Sequence, residues 1–206
     1  MNLLKKDQGL ELSNIFVAAK EIIQTIANIL DDLSKVGLVH RDLHSNNILL
    51  QRDDQGKLRA TLLDIDFLAN TDGTNVDRHT YQGNRLTISP EGAVHSISAS
   101  SDIFSLAVLS MITFLGKKIR NIVGVATTEE LQSGIIGRFL ALSTSPPEVQ
   151  SALINAIDEF PEELRAEIHG LIIFLIHALH PSPNRRPHTA EQIRELLYST
   201  PNTTQV

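Results

Sequence analysis

The 206-residue chain contains no cysteine and no tryptophan, and aromatic residues make up only 4% of it. Without cysteine there can be no disulfide and no thiolate metal site, so any bound metal must be held by oxygen or imidazole. With so few aromatic rings, packing falls to aliphatic side chains, and at 42% hydrophobic residues there are enough of them for a core. Positive charge is also in short supply. Eighteen Lys and Arg stand against 24 Asp and Glu, a net charge of −6 that offers no attraction for nucleic acid or an anionic membrane. No apolar run approaches the roughly 20 residues that span a bilayer; the most apolar windows are Ile103–Leu115 and Leu171–Leu179. The opening MNLLKKDQGLEL lacks the apolar stretch of a secretory signal. A soluble, cytoplasmic protein with no nucleic-acid and no membrane partner is expected, sized for one domain or one large lobe.

The chain is rich in helical periodicity. Phe16, Ala19, Ile23, Ile26, Leu30 and Leu33 recur at helical spacing, with Ser13 as the expected cap and Gly37 as the stop. Apolar runs at 47–51 and 58–64 flank Asp53-Asp54-Gln55-Gly56 and predict a small β-hairpin. Residues 66–90 are polar and too long for an ordinary connection, which predicts a functional loop. Ser101 or Asp102 is expected to cap an apolar helix reaching Leu115, with Gly116 behind it. Weaker helical patterns cover about 128–142 and 147–158. Pro161 should open a helix to about Leu179, and Thr189 should cap a last one to about Tyr198. Residues 199–206 are expected to fray. The fold class expected is mainly α with one small β-hairpin.

The chemistry is concentrated in Leu38–Leu50, LVHRDLHSNNILL, where Asp42 precedes Asn47 by five residues. His40-Arg41-Asp42 with Asn47 resembles the catalytic loop of protein kinases, and the resemblance implies phosphoryl transfer, which needs a carboxylate to orient and deprotonate a hydroxyl and oxygen ligands for the Mg²⁺ that offsets the phosphate charge. Asp42 suits the first task. Asn47, read as the start of a strand, suits the second. A further acid follows the strand 60–63, in Asp64-Ile65-Asp66-Phe67, and two registers are open for it. Asp64 is preferred, because the register that uses Asp66 puts Asp64 where a strand buries an apolar side chain.

His40-Arg41-Asp42 with Asn47 fits the H-R-D-x-x-x-x-N loop of protein kinases. Three further stretches match in order: GlyAsnArgLeuThrIleSerProGlu (83–91), SerAspIlePheSerLeuAlaValLeu (101–109) and HisProSerProAsnArgArgPro (180–187). Over residues 1–198 the chain resembles the C-terminal lobe of a eukaryotic-type protein kinase. The His-Ser pair after Leu43 resembles tyrosine-kinase-like serine/threonine kinases more than tyrosine kinases. Neither acid register carries the Gly of the family's Asp-Phe-Gly.

The resemblance implies ATP and Mg²⁺ as cofactors and a protein substrate. It makes Asp42 the catalytic base, Asn47 and Asp64 (or Asp66) the nucleotide and Mg²⁺ ligands, and His44 a second catalytic candidate where the family usually has Lys. Glu91 and Arg186 would form a buried bridge, and Asp102 would accept backbone hydrogen bonds from the catalytic loop. Arg41 would bind a regulatory phosphate, with Thr71, Thr74, Thr80 and Tyr81 as acceptor candidates. His169 and His177, eight residues apart on an apolar helix, are read as surface or edge residues.

No Gly-rich phosphate loop, strand Lys or partner Glu of the N-terminal lobe is found before Asp42, so the chain is expected to begin beyond that lobe and to bind Mg-ATP weakly alone. Two functions compete: a serine/threonine kinase domain that is weak or inactive in this form, and a kinase-derived interaction module whose exposed cleft is covered by a partner protein.

Overall fold

In the computed structural model of the chain, the structure describes residues 12–71, 87–93, 98–115, 146–158 and 160–200. Helices dominate, accompanied by two short antiparallel strand pairs. Helix α1, Leu12–Lys35, buries Phe16, Ala19, Ile23, Ile26, Ala27 and Leu30 along one face. It packs on α3 (Ala99–Ser110), α5 (Glu162–Ala178) and α6 (Ala190–Leu197). Helix α2 is the single turn Pro90–Ala93, and α4, Pro146–Asp158, packs on α5. The helix expected near 147–158 is therefore present, whereas the one expected at 128–142 lies outside the described residues.

Helix α3 is apolar almost all round, and the fold buries it to match: Ile103, Phe104, Leu106, Ala107 and Val108 are all within the core. Two of its buried serines bond within the helix: Ser105 Oγ donates to Ser101 O and Ser110 Oγ to Leu106 O. The expected cap is corrected here. The helix begins at Ala99, after Ser98 in extended backbone, and Ser101 sits in the first turn, where its Oγ accepts the Ser98 N–H. The serine-rich stretch hid the start, because several adjacent residues were equally plausible caps. The α-helix also stops at Ser110, and Met111–Leu115 continue as a π-helical turn.

The other boundaries follow local chemistry. Ser13 lies just inside α1 rather than ahead of it, and Gly37, at φ +76°, adopts the left-handed backbone that ends the chain's helical path. Pro161 precedes α5, and Thr189 caps α6 by accepting the Gln192 N–H at 3.2 Å. Ser199 is held rather than frayed: its hydroxyl donates to Leu196 O at 2.8 Å. Residues 201–206 lie outside the described residues. A buried Lys20 joins the helices through Glu167 at 2.9 Å, with Tyr198 over its ammonium.

The strands position the site. The hairpin pairs β2 (Ile48–Arg52) with β3 (Leu58–Leu62), with Ile48 opposite Leu62 and Arg52 opposite Leu58. Asp53 closes the turn by accepting the Gln55 and Lys57 N–H groups. A second pair joins β1 (Leu38–Val39) to β4 (Ala69–Asn70). At two residues per strand it carries too little periodicity to be read from sequence. Its topological effect is large. Segment 40–47 runs from β1 to β2 and segment 63–68 runs from β3 to β4, so the two pairings set these loops side by side.

Helix α5 meets α6 at Gly170, where an added Cβ would stand 2.0 Å from Leu197 O. The Leu197 carbonyl is backbone and cannot rotate away. Gly170→Ala should therefore force the helices apart and cost about 2–3 kcal/mol. A denaturant melt checks this, and an unchanged midpoint would contradict the close approach.

Candidate active site

The loop 40–47 rests on a single carboxylate. Asp102, in the first turn of α3 and 3% exposed, accepts the His40 N–H at 2.6 Å on Oδ2 and the Arg41 N–H at 2.8 Å on Oδ1. Successive N–H groups of an extended chain point in opposite directions, so two that converge on one side chain require a sharp backbone turn. Arg41 supplies it at φ +71°, a left-handed conformation that costs a non-glycine residue roughly 1–3 kcal/mol. Two charge-assisted hydrogen bonds offset that cost. Burial pushes the Asp102 carboxyl up from its ordinary value, and the two amides pull against the shift. Burial likewise pushes the Arg41 guanidinium down, against the pull of Asp102.

Asp42 comes next, buried at the base of the loop. Its Oδ2 receives Asn47 Nδ2 at 3.0 Å and faces His44 Nε2 at 3.3 Å. Its backbone carbonyl takes the second Nδ2 hydrogen of Asn47, also at 3.0 Å. Asn47 is the last residue of a 3-10 turn, Ser45–Asn47, rather than the first of the strand expected from sequence. The turn is capped by His44, whose Nδ1 accepts the Asn46 N–H at 3.3 Å. Asn47 O accepts Leu63 N–H at 2.8 Å, which sets the residue before Asp64 directly against the turn.

Asp64 itself is exposed and left-handed, at φ +56°. The strand stops at Leu62, so the chain leaves the ladder one residue earlier than the strand 60–63 expected from sequence. Asp66 is exposed too, and its N–H reaches Asp64 Oδ1 at 3.4 Å. Leu49, Leu63 and Ile65, on the strand or loops that hold these acids, are exposed as well, at 42%, 40% and 63%.

Mg²⁺ favours oxygen ligands and is commonly held by one or two protein groups together with substrate phosphates. The donor set fits that habit. Asn47 spends its Nδ2 on Asp42, and its Oδ1 takes no hydrogen bond from a described residue. Asp64 offers an exposed carboxylate just beyond the Leu63–Asn47 bond. Among the described residues no group of three His, Asp or Glu could enclose a metal unaided.

A second polar unit lies beneath. Arg186, wholly buried, uses all five of its N–H donors. Nε donates to His180 O at 2.7 Å, Nη1 to Glu91 Oε1 at 2.5 Å and Ser100 O at 3.0 Å, and Nη2 to Glu91 Oε2 at 2.8 Å and Pro181 O at 3.3 Å. The guanidinium stacks on Phe104, 4.8 Å from the ring centre. Ser101 Oγ donates to Glu91 at 2.8 Å, and Ser100 Oγ meets His188 Nδ1 at 3.0 Å. The sequence reading missed these two serines as supports, because short hydroxyls on a helix carry no signal beyond capping.

Of the remaining candidates, Thr71 is exposed, His177 is exposed on α5, and His169 reaches Ser199 O at 3.4 Å. Thr74, Thr80 and Tyr81 lie outside the described residues.

Removing either Arg186 or Glu91 strands a buried charge, so Arg186→Ala and Glu91→Ala should each cost about 3–5 kcal/mol. The double variant should lose less than the sum, as denaturant melts will show; full additivity would mean the two are not partners. The pair also sets an acid limit. Burial pushes the Glu91 carboxyl up, but Arg186 and Ser101 outweigh it and hold it below its ordinary 4.5. As pH falls below that ordinary value the unfolded chain takes up the proton first, so stability drops until the folded carboxyl is protonated as well. Glu91→Gln should flatten that acid limb of a stability–pH curve.

A family model described as the protein kinase domain matches residues 2–198. A probable serine/threonine-protein kinase of Dictyostelium discoideum is 32% identical over 95 residues, which are 46% of this chain and 18% of that protein's length. The chain belongs to the protein kinase domain family.

Proposed function

We propose that residues 1–198 form the C-terminal lobe of a serine/threonine protein kinase of the tyrosine-kinase-like type, which transfers the γ-phosphoryl group of ATP to a hydroxyl of a protein substrate. One observation carries the reading: Asp42 and Asn47 form a single hydrogen-bonded unit, and the Leu63–Asn47 bond sets Asp64 beside it. In this reading Asp42 orients the acceptor hydroxyl and takes its proton as the oxygen attacks the γ-phosphorus. The bond from that phosphorus to the bridging oxygen breaks, and ADP leaves with the electron pair. Asn47 Oδ1 and the Asp64 carboxylate would hold Mg²⁺, which would supply neutralisation of charge on the phosphates. The left-handed backbone at Asp64 supports that residue over Asp66, because such conformations in non-glycine residues gather at functional sites. Glu91, Asp102 and Arg186 are scaffold. Arg41 is the proposed receiver of a regulatory phosphate on the loop that follows.

The exposed Leu49, Leu63 and Ile65 favour a second reading, a kinase-derived interaction module. Apolar surface beside the acids suits a nucleotide base and a second lobe in an enzyme, and a partner protein in a module.

Asp42→Asn in the full-length protein should lower transfer to a serine/threonine substrate by about 10²–10⁴-fold while leaving the melting curve in place. Asp64→Asn should weaken Mg²⁺-dependent nucleotide binding at least tenfold in calorimetry, roughly the least that loss of a metal site's supporting partner costs. Asp66→Asn should have a much smaller effect. Near-normal turnover in Asp42→Asn would remove its role as base. Equal losses in the two metal variants would overturn the register.

A further inference from the structure

The proposed base has a neighbour that the mechanism above does not use. His44 is two residues beyond Asp42, its side chain only 19% exposed, and its ring is turned inward onto the carboxylate. Its Nδ1 accepts the Asn46 N–H, so in the neutral ring the proton sits on Nε2, the atom that faces Asp42 Oδ2 at 3.3 Å. Asn47 Nδ2 donates to the same oxygen at 3.0 Å. Asp42 Oδ1 takes no hydrogen bond from a described residue. Asn47 thus holds Oδ2 by a hydrogen bond, the His44 ring nitrogen stands 3.3 Å from the same oxygen, and Oδ1 is left open.

We infer that His44 is a positioning residue for phosphoryl transfer: it fixes the Asp42 carboxylate through Oδ2 so that Oδ1 alone meets the acceptor hydroxyl, and it caps the turn that carries Asn47. The inference rests on the kinase reading and deepens it. One ring serves both ends of the loop. Its donor nitrogen sets the carboxylate, and its acceptor nitrogen holds the 3-10 turn that presents the Asn47 amide. A Lys at this position could not do both, because an ammonium has donors and no acceptor. Gln could, since its amide offers one of each. A carboxylate held through one oxygen has a single orientation for its free lone pairs, and small misplacements of a reacting group cost large factors in rate. His44 acts through Asp42 and Asn47, and nothing in its role requires it to touch the phosphate.

Two measurements test this. In the chain labelled with ¹⁵N-histidine, long-range ¹H–¹⁵N spectra should show His44 as the Nε2–H tautomer, with its ring signals displaced by Asp42→Asn. An Nδ1–H tautomer, or a ring blind to that substitution, would overturn the inference. In the full-length protein, His44→Ala should lower kcat about ten- to hundredfold with the KM for ATP and for acceptor little changed. His44→Gln should recover most of the loss and His44→Lys should not. Equal loss in all three, or a rise in KM at constant kcat, would count against positioning. If the wild-type protein transfers no phosphate, the kinase reading fails on its own, and the ring spectrum still decides whether His44 holds Asp42.

Discussion

The arrangement of the site depends on the grip of Asp102 on two consecutive backbone amides. The loop from His40 to Asn47 has little regular structure, and its first residues adopt a turn that Arg41 would not take unaided. A buried carboxylate on the central helix makes that turn the stable one. It can do so because α3 is enclosed on all sides, which fixes the position of Asp102 to within the tolerance of core packing. The same helix presents Ser100, Ser101 and Phe104 to the Arg186–Glu91 pair. One helix thus supports both the loop 40–47, through Asp102, and Glu91 of helix α2, through Ser101.

This division of labour explains where polarity is buried and where it is left open. Asp102 and Arg186 lie deep in the protein; Asp102 has a backbone amide on each oxygen, and Arg186 has a partner for every N–H. Asp64 and Asp66, by contrast, stand in solvent, and Asp42 and Asn47 each keep one side-chain oxygen without a hydrogen bond from a described residue. Unspent oxygen ligands close together have no value for stability. They suit chemistry that brings its own cations and protons.

Much of this was legible in the chain. The helices are long enough for apolar spacing to reveal them, and the hairpin is announced by its turn residues. Asp42, Asn47, Glu91, Asp102 and Arg186 stand out because short motifs hold acids and an arginine at set spacings, and a motif survives without three-dimensional information. The two-residue pair β1–β4 was not visible, since two residues carry no period. The start of α3 was misplaced for a related reason: Ser101 or Asp102 is the cap expected from sequence, but Ser98 fills that position, and composition cannot choose among neighbouring residues of like capping strength.

The register of the second acid and the part played by His44 show where the sequence stops. Spacing alone established that an acid follows the strand and that a histidine follows Asp42. It could not say which acid leaves the ladder in left-handed backbone, nor that the imidazole turns inward to Asp42 and Asn46. Those outcomes depend on hydrogen bonds between loops that meet only because β1 pairs with β4 and β2 with β3. Local patterns along the chain determined the helices, the hairpin and the choice of candidate site residues. Tertiary structure decided their orientation, because direction in space is set by partners distant in sequence.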